Sequence, residues 1–461
     1  MKKAVPYAII LLFLLYSLTS KAQQKNDTSV LYKKLDEYMV SAVKVSKFNG
    51  CVVVAQKGKI ILEKGYGWRN FANHTLNDSN TISQIGSLTK PFTAMVILKL
   101  QEDGKLSVND LLSKYFPELK GADKITIQNL LNHTSGIYDY TRDIPENDSV
   151  LLSHPVTKQR ILEVFIHHSL ENKPGKKYNY CSSDYFLLGV IIEKITGITY
   201  EKAVRKMIFE PLGMAHSGFD FINLKNSSKA IGYLIFTADK RTLAIHWDST
   251  VTYSAGGIYS TTGDLYKWAK AIADRRILKA VSWNQAFTPN LEHYGYGWWI
   301  DTLYGNNYIT HSGGLPGFMS NFTYFPDQDV SIILINNFGN YGESLWPINI
   351  ALSAIMFNKP YSLWQNNTTI IINETLLKQY TGTYSADGKV SIYITLKNNQ
   401  LYAESTSKNG IPKLPIYAKS TTEFFLKDLN AVFTFTRGAD GNVTNFISFE
   451  HGKNIAFKKK K

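Results

Sequence analysis

A chain of 461 residues is longer than one ordinary domain and sets an expectation of two or three. Hydrophobic residues make up 44% and charged residues 19%, which supplies a real core and excludes an intrinsically disordered chain. The formal charge of +14 is spread along the sequence, and its one dense basic run, Lys458–Lys461, reads as a solvated tail, so no nucleic-acid partner is implied.

The chain opens with the basic Met1-Lys2-Lys3 and an apolar stretch from Ala4 to Leu18, followed by Ser20-Lys21-Ala22. This is the layout of a signal peptide over residues 1–22 cleaved before Gln23, and it predicts a periplasmic or secreted protein. The apolar run is shorter than the roughly 20 residues a spanning helix needs, so no stable membrane span is expected after cleavage.

The first domain is expected over 29–360. A helix over 29–46 is predicted from the spacing of Val30, Leu31, Leu35, Tyr38, Met39 and Val43. Gly50 to Glu63 reads as two strands joined at Lys57-Gly58-Lys59, and Cys51 falls in the first of them. Cys51 and Cys181 are the only cysteines, either two buried thiols or one bridge. A helix runs from near Ser87 to a stop at Gly104, with Phe92, Met95, Val96 and Leu100 on one face. Further helices are predicted over 184–196, opened by Ser182/Ser183 and closed by Gly197, and over 201–209. Strands return at 318–325 and 330–336. Asn366-Asn367-Thr368-Thr369 marks a linker over 361–372. Beyond it, Val390, Ile392, Ile394 and Leu396 alternate with polar residues up to a turn at Asn398-Asn399. That period of two predicts a small antiparallel sheet or barrel over 373–461.

Several chemistries find no motif. There is no His-Glu-x-x-His, no Gly-x-Ser-x-Gly elbow and no phosphate-cradling loop, so no metal or cofactor is implied. Ser-x-x-Lys occurs three times, at Ser41/Lys44, Ser87/Lys90 and Ser405/Lys408. The first and third sit in polar or amphipathic surroundings and read as surface residues. Ser87 is different. Ile85-Gly86 leads from an extended segment into a helix, which places the serine where free backbone N–H groups favour a developing oxyanion. Lys90 lies one turn further on the same face, and burial there would let it give up its proton.

Two more stretches give this serine a setting: Pro174-Gly175-Lys176-Lys177-Tyr178-Asn179-Tyr180-Cys181-Ser182-Ser183-Asp184-Tyr185-Phe186-Leu187-Leu188-Gly189 and His311-Ser312-Gly313-Gly314-Leu315-Pro316-Gly317-Phe318. With Leu131–Gly136, Glu210–Met214, Ala255–Thr261 and Tyr294–Trp298 lying between Ser87 and His311, the region from about 35 to 360 resembles the class C β-lactamases and their DD-peptidase, D-aminopeptidase and esterase relatives. The resemblance implies an α/β (α+β) sandwich, a central antiparallel sheet flanked by helices, with a β-barrel-like C-terminal domain. It also implies roles: Ser87 as the acylated nucleophile, Lys90 as its activating partner, and Tyr180 as the proton acceptor that returns a proton to the leaving group. Lys90 would be the cation that lowers the pKa of that phenol. His311, Ser312 and Gly313 would line the substrate side opposite the serine, and the amides of Ser87 and Gly314 would form the oxyanion hole. Where the family has asparagine in Tyr-x-Asn this chain has Ser182, and it has His311 where a β-lactamase has lysine.

Both changes argue for peptide, amide or ester hydrolysis rather than a dedicated β-lactamase. A serine cannot donate and accept as an amide does, and histidine supplies no permanent charge for a substrate carboxylate. The expected partner is a small-molecule or peptide substrate at the cell envelope, fragments of peptidoglycan included. A dedicated β-lactamase and a non-catalytic penicillin-binding or scaffold protein are the rival readings.

Overall fold

The structure is a computed structural model that describes residues 28–143, 153–236, 241–245, 247–339, 344–364, 369–386, 390–405, 413–426, 432–438, 440–450 and 453–460. The segment 1–22 expected as a signal peptide, linker residues 365–368 and Lys408 lie outside these residues. The chain divides into two compact units between Leu363 and Trp364.

The first unit is built on a six-stranded sheet. Its strands are β1 (Gly50–Gln56), β2 (Lys59–Tyr66), β3 (Trp299–Leu303), β4 (Asn306–Leu315), β5 (Phe318–Phe325) and β6 (Val330–Asn336), in the order β2-β1-β6-β5-β4-β3. Every pairing is antiparallel. All residues of β5 and β6 are buried, so both faces of the sheet centre are covered. That explains the unbroken apolar run Ile332-Ile333-Leu334-Ile335, where a half-exposed strand would alternate. Val53, Phe322, Tyr324, Ile333 and Ile335 face the main core. There they meet α2 (Thr89–Glu102), α3 (Ser182–Thr196), α4 (Ser249–Gly256) and α5 (Thr262–Ala273). The helix α6 (Trp346–Met356) packs on β5 and β6, and none of its buried residues joins that core, so it covers the opposite face.

The helix predicted over 29–46 spans 28–44 as α1, with Leu35, Tyr38, Met39 and Ala42 buried at helical spacing. Ser41 corrects the surface reading: it is buried, and its hydroxyl donates to the Tyr38 carbonyl at 2.6 Å, while Lys44 is exposed. The predicted 201–209 helix is α-helical over Tyr200–Val204 and widens into a π-turn over Arg205–Phe209. α3 ends on Gly197 at φ +69°, the left-handed stop glycine supplies without strain. Both cysteines are free and buried. No helix among the described residues is long and apolar enough to cross a membrane.

In the second unit the helix α7 (Glu374–Tyr380) precedes eight strands that close into an antiparallel barrel. Ile392 and Ile394 are buried while Tyr393 and Thr395 are exposed, as the alternation requires. Asn398 and Asn399 turn the chain at φ +49° and +58°, a region asparagine tolerates better than most residues. Tyr380, Tyr384, Phe424, Phe433, Phe435, Phe446 and Phe457 fill the interior.

Candidate active site

Ser87 is gripped by close backbone packing that only glycines permit. Gly86 adopts φ +52°, and a Cβ there would lie 2.8 Å from the Gly314 nitrogen. A Cβ on Gly313 would lie 1.8 Å from the Ile85 carbonyl oxygen. β4 therefore runs directly against the Ile85-Gly86-Ser87 turn. Ser320 donates to the Ile85 carbonyl at 2.7 Å, and the Ile85 N–H donates to Ile258 at 3.0 Å. The serine itself stands in a 3₁₀ turn, Gly86–Leu88, just ahead of α2.

Lys90, one turn on, is fully buried. Its Nζ donates to Ser87 Oγ and to the Ala255 carbonyl, each at 3.0 Å. That carbonyl comes from the end of α4, which is broken at Tyr253 (φ +41°, ψ −130°). The ammonium also lies 4.7 Å from the centre of the Tyr180 ring and 5.7 Å from that of Tyr185. No carboxylate forms an ion pair with it among the described residues. Burial therefore prevails over the more distant Asp139 and Asp184 and pulls the amine down to about 7.

Tyr180 completes the cluster. Burial holds its phenol above the ordinary value, and the nearby Ser87 hydroxyl draws it part of the way back. The expectation that Lys90 would acidify this phenol is corrected: the ammonium lies over the ring, and desolvation dominates. The indole of Trp299 stacks on Tyr180 with centroids 5.8 Å apart and planes 7° from parallel.

Along β4, His311 and Gly313 are buried while Ser312 and Gly314 are exposed, so the latter pair faces the open side. The His311 Nδ1 lies 2.6 Å from the Ser312 carbonyl oxygen. A carbonyl only accepts, so Nδ1 carries the proton and Nε2 accepts from the Tyr294 hydroxyl at 3.0 Å. Burial and the nearby Lys90 pull this imidazole down to about 3, so it is neutral. Ser182 is half-buried at the start of α3. Its backbone N–H donates to Asp139 Oδ2 at 3.2 Å, and its hydroxyl makes no hydrogen bond among the described residues.

The structure thus brings Ser87, Lys90, Tyr180 and the 311–314 strand into one site. It also adds Ala255, Trp299, Tyr294 and His133, to which motif reading gave no role. The only hint of them was their place in or beside the family-like stretches Leu131–Gly136, Ala255–Thr261 and Tyr294–Trp298.

Comparison with known proteins finds relatives for both units of the chain. A family model described as Beta-lactamase matches residues 36–352, and one described as a domain of unknown function (DUF3471) matches 367–459. The chain is 28% identical to Penicillin-binding protein 4* of Bacillus subtilis over 432 residues, covering 88% of this chain and 94% of that one. It shares its fold with the octameric penicillin-binding protein homologue from Pyrococcus abyssi, at TM-score 0.65 and 24% identity over 92% of this chain and 99% of the other. It also shares it with the D-amino acid amidase of Ochrobactrum anthropi, at TM-score 0.63 and 23% identity over 72% and 99%.

Proposed function

We propose that this chain, which belongs to the serine β-lactamase and penicillin-binding-protein superfamily and is a serine hydrolase of that type, is exported and cleaves peptide, amide or ester bonds at the cell envelope through an acyl-enzyme on Ser87. The observation that carries the reading is the Lys90 Nζ, 3.0 Å from the Ser87 hydroxyl and 4.7 Å from the centre of the Tyr180 ring, opposite the exposed Gly314. The N-terminal sequence supports export.

The proton inventory closes within these residues. Ser87 Oγ attacks the substrate carbonyl while its proton passes to the neutral Lys90 amine. The carbonyl oxygen becomes an oxyanion facing the amides of Ser87 and Gly314. When the tetrahedral adduct collapses, Tyr180 donates its proton to the leaving nitrogen or oxygen. A lysine ammonium and a tyrosine phenolate remain as a transient charge pair, the ammonium lying over the ring. Water then attacks the acyl ester and reprotonates Tyr180, and Lys90 returns its proton to Ser87.

The substrate class follows from what the site lacks. His311 is neutral, so β4 offers no permanent cation to a substrate carboxylate. Ser182 offers a short hydroxyl in place of an amide. Neutral amides and esters, D-amino-acid amides among them, fit this site better than penicillins. The test is intact-mass measurement after fluorophosphonate treatment of wild type and Ser87→Ala, with turnover of D-Ala-D-Ala peptides, D-amino-acid amides, short esters and cephalosporins. The expected result is one adduct on wild type, none on the variant, and turnover of amides or esters well above cephalosporins. An adduct surviving Ser87→Ala would overturn the mechanism.

A further inference from the structure

The backbone that carries Tyr180 is held on both sides by His133. His133 is fully buried and adopts φ +58°, a left-handed conformation that costs a non-glycine residue about 1–3 kcal/mol. Its carbonyl accepts the Asn179 N–H at 2.9 Å, and its Nδ1 lies 3.3 Å from the Cys181 nitrogen. These contacts straddle Tyr180. The His133 ring also packs on the Tyr180 ring, with centroids 4.4 Å apart.

His133 is itself fixed. Asp184 Oδ2 lies 3.1 Å from the same Nδ1, and the Ser135 hydroxyl donates to Asp184 Oδ1 at 2.5 Å. All three side chains are buried. The Nε2 has no partner among the described residues, so every polar restraint on the ring acts through Nδ1. This is not a second hydrolytic triad. Ser135 bonds the carboxylate rather than the imidazole, and it is buried, away from any substrate.

We propose that His133, set in place by Asp184 and Ser135, is a positioning residue that holds the Tyr180 phenol at Ser87 and so governs proton delivery to the leaving group. The inference rests on the acyl-enzyme reading above. It has a signature that a loss of fold lacks. An amide nitrogen must be protonated to leave, whereas p-nitrophenolate leaves without a proton. A displaced Tyr180 therefore slows amides more than activated esters.

The test compares a D-amino-acid amide with the p-nitrophenyl ester of the same acid in wild type, His133→Asn, Asp184→Asn, Tyr180→Phe and the His133→Asn/Tyr180→Phe double variant. Asparagine tolerates the left-handed backbone, and Asp184→Asn preserves shape if the first variant folds poorly. The expected result is an amide-to-ester ratio of kcat values that falls about tenfold or more in His133→Asn and Tyr180→Phe, and in the same direction in Asp184→Asn, with KM little changed. The double variant should be no worse than Tyr180→Phe alone, because both act through one phenol. Amide and ester rates falling together, or losses that multiply in the double variant, would overturn the positioning role while labelling of wild-type Ser87 persists. Absence of that labelling would instead overturn the acyl-enzyme reading, and this inference with it.

Discussion

The Lys90 amine lies 3.0 Å from the Ser87 hydroxyl in a pocket where burial pulls it down to about 7. A base at that value is half free near neutrality, so activity should depend on its neutral form. We predict that kcat/KM rises with pH through about 7 and levels off above it. Lys90→Arg should remove the activity by about a thousandfold or more, since a guanidinium stays protonated. A pH–rate profile on an amide substrate, with the variant alongside, checks both.

The same burial has a price in stability. In the unfolded chain the amine titrates at its ordinary 10.5, and in the folded chain at about 7. Between these values the unfolded state holds a proton the folded state has lost, so this residue's contribution makes stability rise with pH across that window. Lys90→Met keeps the length of the side chain and removes the charge, although it leaves the Ala255 carbonyl without its donor. We expect a gain on the order of 1 kcal/mol, roughly 2–4 °C in Tm. It should be largest at and below pH 7 and fade towards pH 10. Thermal melts of both proteins at pH 6 and 9 measure the difference.

Adjacent glycines on β4 should behave oppositely. Alanine at 313 would drive its methyl into the Ile85 carbonyl, backbone that cannot swing aside. Gly313→Ala should lose about 1–3 kcal/mol or more and displace the serine turn, so Tm and kcat fall together. Gly314 has open space around its Cβ position, and Gly314→Ala should keep its Tm to within about 1 °C. Melting curves of the pair separate steric contact from a general intolerance of side chains on this strand.

The elements set by local periodicity were legible in the sequence. Strands 318–325 and 330–336 appear with those bounds, and the alternation from Val390 to Leu396 becomes a barrel strand. What sequence could not show were contacts between distant segments. Ser41 looked like a surface residue because its position on an amphipathic helix says nothing of what covers it. The carbonyl of Ala255, offered by a helix broken at Tyr253, carries no side-chain signature. The family resemblance suggested that Lys90 would acidify Tyr180, whereas solvation, which depends on the whole surrounding fold, outweighs it.

Ser182 is the residue through which the proposed preference for amides over β-lactams is most directly open to change. It stands half-buried at the start of α3, two residues from Tyr180, with a hydroxyl that bonds nothing among the described residues. An asparagine there would bring an amide able to donate to a substrate carbonyl and accept from Lys90 at once. One well-placed hydrogen bond is worth about 1 kcal/mol or more. Ser182→Asn should therefore raise kcat/KM for a chromogenic cephalosporin by roughly five- to tenfold, with a smaller change on a D-amino-acid amide. Because the backbone N–H of residue 182 keeps its bond to Asp139, the fold should be unaffected, and a melting curve provides the control. Equal gains on both substrates would mean that the shorter side chain limits acylation in general. No gain on either would place the selectivity with the neutral His311 instead.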